Sequence, residues 1–167
     1  MTDIQRYYLE NLGSQAREKC VKHGIISNSQ ISFNSDDLHR IVEFFGGRLV
    51  EANNQDNDYM RKDNDESFTI FCRNIHDHIP VLHELGHAFL DLDSIQVGER
   101  MGAEGTSEAE IRADMFARSF AMPRRLFELN VIENTSGGLC DIRSMARDYK
   151  TNYLKVIARG EDIYLWA

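Results

Sequence analysis

Apolar residues recur at helical spacing along most of this 167-residue chain, and one short segment alternates instead. The clearest helical stripe repeats at i, i+3, i+4 and i+7 and consists of Leu38, Ile41, Val42 and Phe45. Similar patterns predict helices over residues 3–22, 79–91 and 107–122. Residues 67–73 show alternation of period two and predict a β-strand.

The segments between these elements predict a small sheet within a single domain. Residues 48–52 suit a short strand, whereas residues 53–66 are rich in turn-forming residues and are predicted to be a loop or a poorly ordered hairpin. Residues 139–160 have the outline of a helix, a turn and a second helix. We therefore expect one α+β domain over residues 1–167, helix-rich, with about three strands in an antiparallel or mixed sheet.

Composition and charge narrow the range of functions and locations that we expect for this chain. The net charge of −8 argues against general binding of nucleic acid. No apolar run approaches the roughly 20 residues that span a membrane, and the start of the chain lacks the features of a signal peptide. The three cysteines form no C-x-x-C pair, which favours the cytoplasm over an oxidising compartment.

The segment 79–91 contains a pattern with metal-binding chemistry, His83-Glu84-Leu85-Gly86-His87. On a helix, His83 and His87 project from one face and can together bind one tetrahedral Zn²⁺, the predicted cofactor. Glu84 can reach a water at the metal without being a ligand, as the general base of a zinc peptidase. Because Gly86 weakens a helix, its expected use is to let another backbone or a substrate approach.

A catalytic zinc site also needs a third protein ligand and an open position for water. The downstream carboxylates that can be considered are Asp91, Asp93, Glu99, Glu104, Glu108, Glu110 and Asp114. Asp91 lies one turn past His87 and could be a ligand only if that helix were distorted. Glu110 and Asp114 are better placed, because they lie four residues apart on a second helix whose alanines permit close approach of the first.

Glu110 and Asp114 have distinct expected roles. A carboxylate on a close-packed face is costly unless it is paired or bound to metal, so Glu110 is predicted to be the third ligand. Asp114, one turn on, is predicted to accept a hydrogen bond from a ligand histidine and fix its tautomer. Alternatively, Ser107-x-x-Glu110 is a capping-box pattern in which Glu110 caps its own helix.

The two helices together resemble those of the ImmA/IrrE-type metallopeptidases of bacteria, phages and mobile elements. HELGHAFLD and the following EIRADMFARSFAMP are similar to the family's H-E-L-G-H helix and to its E-x-x-A-[ND]-x-F-A helix, which ends in Met-Pro. The resemblance is strong over about residues 79–123 and weaker to residue 160. It implies zinc ligands at His83, His87 and Glu110, a catalytic base at Glu84, and Asp114 in contact with a ligand.

The resemblance also implies a function. Members cleave, or are implicated in cleaving, helix-turn-helix transcriptional repressors, and thereby induce phage, mobile-element or stress genes. Two positions depart from the family pattern: Arg112 replaces a frequent acidic residue, and residues 78–82 replace a frequent Arg-Phe-[ST] stretch. Candidates for stabilising the oxyanion are Tyr59, His76, His78 and Arg124, and the residues themselves do not rank them.

Other interpretations of single segments remain open. The 67–73 strand either binds a peptide by edge addition or only builds the sheet. The helix pair at 139–160 carries five basic residues and either contacts DNA or presents a solvated face. His76-x-His78 can bind metal, although such a pair before a helix is more often a cap or a turn. A zinc-binding regulatory protein without proteolysis would keep the same ligands.

Overall fold

The computed structural model describes residues 2–102 and 107–165 as a helix-rich α+β fold. Its helices are α1 Asp3–Lys22, α2 Ser35–Phe44, α3 His78–Asp91, α4 Ser107–Ala121, α5 Arg124–Glu133, α6 Ile142–Asp148 and α7 Tyr153–Gly160. Its strands are β1 Gly47–Glu51, β2 Tyr59–Lys62, β3 Phe68–Cys72, β4 Arg100–Gly102, β5 Thr135–Ser136 and β6 Leu139–Cys140. A 3₁₀ turn, Leu92–Ser94, follows α3, and a π-helical segment, Glu161–Leu165, follows α7.

The main sheet has four strands in the order β1-β3-β2-β4 and is mixed. β1 pairs in parallel with β3, whereas β2 runs antiparallel to both β3 and β4. The predicted α+β class with a small mixed sheet is confirmed. The prediction of a loop or a poorly ordered hairpin over residues 53–66 missed a regular strand, because Tyr59–Lys62 pairs with β3 and β4, which the turn-rich sequence does not reveal.

β3 lies inside the sheet, so its predicted edge addition of a peptide is wrong. Both sides of the strand are already hydrogen-bonded, to β1 on one side and to β2 on the other. A strand without a free edge has no backbone groups to offer an extended partner. The alternative interpretation, that residues 67–73 only build the sheet, is the correct one.

α3 and α4 form the centre of the molecule and lie unusually close together. A Cβ atom at Gly86 would stand 3.1 Å from both the Cα and the carbonyl oxygen of Ala113, closer than such atoms normally approach. Ala113, Ala117 and Ala121 are fully buried in the same face of α4. The expectation that Gly86 admits a neighbouring backbone therefore agrees with the structure, and that backbone is α4 rather than a substrate.

The C-terminal helix pair is anchored to the body through a buried arginine. Arg159 is fully buried, and its Nε donates to the Met122 carbonyl at 2.8 Å while Nη2 lies 3.2 Å from Glu10. Asp141 caps α6 and Asn152 caps α7, each by accepting a backbone N–H in its first turn. Within the described ranges, no helix is both long enough and apolar enough to cross a membrane.

Candidate metal centre

Two helices bring three potential metal ligands to one point. His83 and His87 lie one turn apart on α3, and Glu110 faces them from the first turn of α4. His83 Nε2 lies 2.8 Å from Glu110 Oε2, and His87 Nε2 lies 3.1 Å from Glu110 Oε1. One ligand atom from each residue lies within 4.8 Å of the other two. This arrangement is compatible with a zinc site.

The other nitrogen of each imidazole is held by a carboxylate. His83 Nδ1 lies 2.8 Å from Asp114 Oδ1, and His87 Nδ1 lies 3.0 Å from Asp91 Oδ2. Because an ionised carboxylate can only accept, both Nδ1 atoms carry the proton and donate it. Both Nε2 atoms face Glu110, and each presents a lone pair there when its ring is neutral, as metal-ligating histidines do.

The three converging groups fit a cation better than they fit one another. The Glu110 carboxylate can satisfy one imidazole through the hydrogen bond between His83 Nε2 and Oε2, at 2.8 Å, but it leaves the other imidazole unsatisfied. His87 Nε2 and Glu110 Oε1 are buried without a hydrogen bond, although they lie 3.1 Å apart, because the directions of the two groups are wrong for one. Buried polar atoms without partners are costly, and a divalent cation among them removes that cost. Two imidazole nitrogens and a carboxylate are also ligands that Zn²⁺ takes in proteins.

Glu84 lies beside this cluster, with only 3% of its surface exposed and Oε2 without a hydrogen bond. Burial raises the pKa of Glu84 to about 8; the charges of Glu110 and Asp58 act in the same direction, and His83 opposes them. A buried carboxyl with a pKa near neutrality can both accept and release a proton under ordinary conditions.

Lys155 extends the network outward from His83. Its Nζ lies 3.3 Å from Asp114 Oδ1, the same oxygen that accepts from His83 Nδ1. Burial alone would raise the pKa of Asp114, but the hydrogen bond from His83 and the charge of Lys155 lower it to about 2. Asp114 therefore stays ionised and keeps His83 in one tautomer.

Asp91 is a functional candidate whose contact the sequence interpretation missed. The sequence pointed to it only as a ligand on a distorted helix, whereas Asp91 ends α3 and its carboxylate contacts His87 Nδ1 rather than joining the three clustered groups. Arg112 holds the other oxygen of Asp91, with Nη2 at 3.2 Å. The i,i+4 spacing of His87 and Asp91 was the signal that could have revealed this pair. The unusual Arg112 thus has a partner in the site.

The cluster opens into a cleft of about 460 Å³. One wall comprises the segment before β2, the end of β3 and the start of α3; it includes Asn57, Asp58, Arg73, His76, Asp77, Ile79 and Pro80. The opposite wall is the turn between α6 and α7 together with the first turns of α7, and it comprises Lys150, Thr151, Asn152 and Lys155. Between the two walls, the cleft is lined by His83, Glu84, Glu110 and Asp114.

Among the four oxyanion candidates, the structure places His76 in the cleft. His78 points into the core, 2% exposed, with its ring 5.4 Å from that of Phe33. Tyr59 stacks on Phe71 in the sheet, and Arg124 reaches the Ile163 carbonyl. The metal-binding interpretation of His76-x-His78 therefore has no support in the described residues, because the two imidazoles point to different places.

The remaining carboxylate candidates do not join the cluster. Asp93, Glu99 and Glu108 are exposed and away from the two histidines, and Glu104 lies outside the described residues. The Ser107 side chain, one half of the capping-box alternative, also lies outside them. The other half of the capping-box alternative is the Glu110 side chain, and both of its carboxylate oxygens face the histidines.

The basic residues of the C-terminal pair do not form one continuous face. Arg159 is buried, and Lys155 is bound to Asp114 in the cleft. Arg143, Arg147 and Lys150 are exposed, while the outer side of α7 presents Tyr153, Leu154 and Ile157. Two of the five cations that the DNA-binding hypothesis relies on are thus engaged inside the molecule.

Residues 78–136 match the family model of the IrrE N-terminal-like domain, Peptidase_M78. The resemblance to the ImmA/IrrE family is confirmed. The matched segment contains α3, α4 and all three clustered residues that could hold a metal ion, and the family is one of metallopeptidases, which act on protein substrates. A search of curated proteins gave no match. α6 and α7, which form the opposite wall of the cleft, lie beyond the matched residues.

Proposed function

We propose that this protein is a zinc-dependent endopeptidase that cleaves a helix-turn-helix transcriptional repressor in the cytoplasm. His83, His87 and Glu110 are the proposed zinc ligands, Glu84 is the catalytic base, and Asp114 orients His83. Cleavage would induce phage, mobile-element or stress genes. The cytoplasmic location is supported by the three scattered cysteines, and the repressor substrate by the family resemblance.

The observation that carries the proposal is the convergence of two imidazole Nε2 atoms on one carboxylate, where His83 Nε2 forms a hydrogen bond and His87 Nε2 is left without one. His83 Nε2, His87 Nε2 and the Glu110 carboxylate meet within 4.8 Å, while each Nδ1 is already held by an aspartate. A structural capping role for Glu110 would not require both histidines to point at it. The placement of Glu84 in the same cleft adds a base that a purely structural zinc site does not use.

When bound, Zn²⁺ supplies a Lewis acid, which lowers the pKa of water and polarises a peptide carbonyl. Glu84 accepts the proton of the attacking water and returns it to the departing amine, so that one carboxyl serves both halves of the reaction. Asp114 and Asp91 keep the two imidazoles in the tautomer that leaves Nε2 free. His76 lies on the cleft wall, where it can donate a hydrogen bond to a developing oxyanion.

The decisive experiment combines cleavage with metal analysis. Zinc-loaded wild type and Glu84→Gln are incubated with a purified helix-turn-helix repressor encoded beside the gene, with and without a chelator, and the fragments are identified by mass spectrometry. Wild type is expected to cut at one site, and the chelator to stop it. Glu84→Gln is expected to bind one zinc ion and not to cut. Glu108→Gln, the same change at an exposed position of α4, is the matched control and should cut normally.

Each outcome separates one part of the proposal. Equal cutting by wild type and Glu84→Gln would refute the assigned base. Full zinc retention by Glu110→Ala would refute the third ligand. Cutting of unfolded casein but of no repressor would leave the peptidase intact and remove the repressor as substrate. A wild type that binds zinc tightly and cuts neither would favour the non-proteolytic alternative.

A further inference from the structure

Lys150 occupies the turn between α6 and α7 in a backbone conformation that lysine seldom adopts. Its φ is +49°, and it is the one residue other than glycine with positive φ among the described residues. The turn closes the end of α6, with Thr151 N–H donating to the Ala146 carbonyl at 3.0 Å. This left-handed position at a helix end is usually occupied by glycine, because a Cβ atom there is strained.

The strained position has a consequence for the cleft. The turn presents Lys150 on the wall opposite the start of α3, beside Thr151 and Asn152. Glycine at the same position would close the helix with less strain but would leave this wall with Lys155 alone as a cation, and Lys155 is already paired with Asp114. Backbone strain that glycine would relieve indicates a role for the lysine side chain.

The charges of the cleft leave Lys150 without an internal partner. Arg73 is bound to Asp58 and to the Asp56 carbonyl, at 3.2 Å and 2.9 Å. Lys155 is bound to Asp114. The ammonium group of Lys150 makes no hydrogen bond or ion pair with any residue that the structure describes. Of the cleft lysines and arginine, Lys150 is therefore the cation available to a ligand.

We propose that Lys150 is a specificity determinant, which selects peptide segments carrying an acidic side chain close to the scissile bond. The inference rests on the proposed peptidase function, because the cleft that Lys150 lines is the one above Glu84 and the metal ligands. The carboxylates Asp58 and Asp114 are each matched by a cation of the cleft, and Asp77 on the facing wall makes no ion pair with Lys150, so the charge of Lys150 remains available. A substrate carboxylate would pair with it in a partly enclosed site.

The test measures the cleavage preference of zinc-loaded protein on a peptide library made by chymotryptic digestion of a bacterial proteome. Wild-type cleavage sites are expected to be enriched in Asp or Glu within about three residues of the scissile bond. Two synthetic peptides from a strong site, differing only by Glu or Gln at the enriched position, then give kcat/KM values. Lys150→Gln should reduce the preference for the acidic peptide by roughly three- to fivefold, mainly through KM. Lys150→Glu should reverse it in favour of basic peptides.

Arg147→Gln is the matched control, because Arg147 is an exposed cation on α6 that does not line the cleft. It should keep the wild-type preference. Cleavage by wild type without acidic enrichment, or an unchanged preference in Lys150→Glu, would overturn the inference and leave the proposed function standing. Absence of any cleavage by zinc-loaded wild type would refute the proposed function and this inference together.

Two readouts that do not depend on cleavage complete the test. Lys150→Gly should raise Tm by about 2–4 °C, because glycine relieves the left-handed strain. In zinc-loaded protein that also carries Glu84→Gln, Lys150→Gly should weaken binding of the acidic peptide, measured by fluorescence anisotropy. A lower Tm together with unchanged binding would overturn the inference. Binding of a random DNA duplex that Lys150→Gln abolishes, with no acidic preference for peptides, would overturn it in favour of DNA contact.

Discussion

Asp91→Ala tests the role of a carboxylate that is not itself a predicted ligand but contacts one, His87. Asp91 is 5% exposed, and its Oδ2 accepts from Nδ1 of the fully buried His87 at 3.0 Å. Its Oδ1 accepts from Arg112 at 3.2 Å. Alanine removes both bonds and leaves the imidazole N–H of His87 without an acceptor.

The magnitude follows from the burial of His87. A buried donor left without a partner costs about 1–3 kcal/mol. Loss of a carboxylate behind a metal-binding histidine typically lowers metal affinity by about 10–100-fold, or about 1.4–2.7 kcal/mol. The first figure is a loss of fold stability and the second is a loss of metal affinity, and both follow from removal of the hydrogen bond between Asp91 and His87. We expect the zinc Kd of Asp91→Ala to rise by about 10–100-fold.

The assay is a competition titration of zinc against a chromophoric chelator of known affinity, in buffer at fixed ionic strength. Asp93→Ala is the control, because Asp93 carries the same charge two residues later but is exposed. Asp91→Asn should have a smaller effect than Asp91→Ala, since the amide keeps one oxygen acceptor for His87. Thermal unfolding of the zinc-free proteins separates loss of fold from loss of affinity.

A zinc Kd for Asp91→Ala within twofold of wild type would refute the reasoning. It would mean that the surrounding helix, rather than the carboxylate, fixes the orientation of His87. An equal loss in Asp93→Ala would also refute it, because the effect would then be one of general negative charge near the site.

Two further predictions concern packing and thiol chemistry. Gly86→Ala should lower the free energy of unfolding by about 1–3 kcal/mol in urea titration, because its Cβ would collide with the α4 backbone. The control is Gly160→Ala, which has open space around the Cβ and should be neutral or stabilising. A Gly86→Ala variant as stable as wild type would contradict the close packing. Alkylation of native protein at pH 8 should label Cys140 and spare Cys20 and Cys72, because burial raises the pKa of those two thiols to about 12 and about 11. Peptide mass spectrometry after one hour gives the sites, and rapid labelling of Cys20 would show that the core opens easily.

The sequence was most informative where local pattern and chemistry coincide. The helical patterns predicted α1, α3 and α4 to within about one residue, and the alanines of α4 predicted its close approach to Gly86. The spacing of His83, His87 and Glu110 predicted a cluster, and the structure brings the three residues together. These features depend on residues a few positions apart or on the matching faces of two helices.

What the sequence did not reveal depends on contacts between distant segments. β2 is four residues long and follows a run of turn residues, so its strand character comes from pairing with β3 and β4 rather than from its own pattern. The contact of Asp91 depends on the rotamers of two side chains. The engagement of Lys155 with Asp114 joins residues 41 positions apart. Periodicity within one segment carries no information on such contacts.

The C-terminal helix pair shows how the fold changes the role that is inferred for the same residues. Read along the chain, its lysines and arginines resemble a DNA-binding surface, and nothing local distinguishes Lys155 from Arg143. In the structure, α7 packs against α4, so Lys155 reaches the aspartate that holds His83, and Lys150 reaches the cleft. The matched family segment ends at residue 136 and contains the groups that would bind metal and move a proton. The groups of α6 and α7 that line the same cleft lie outside it, so selection of a substrate can diverge here while the chemistry of α3 and α4 stays fixed.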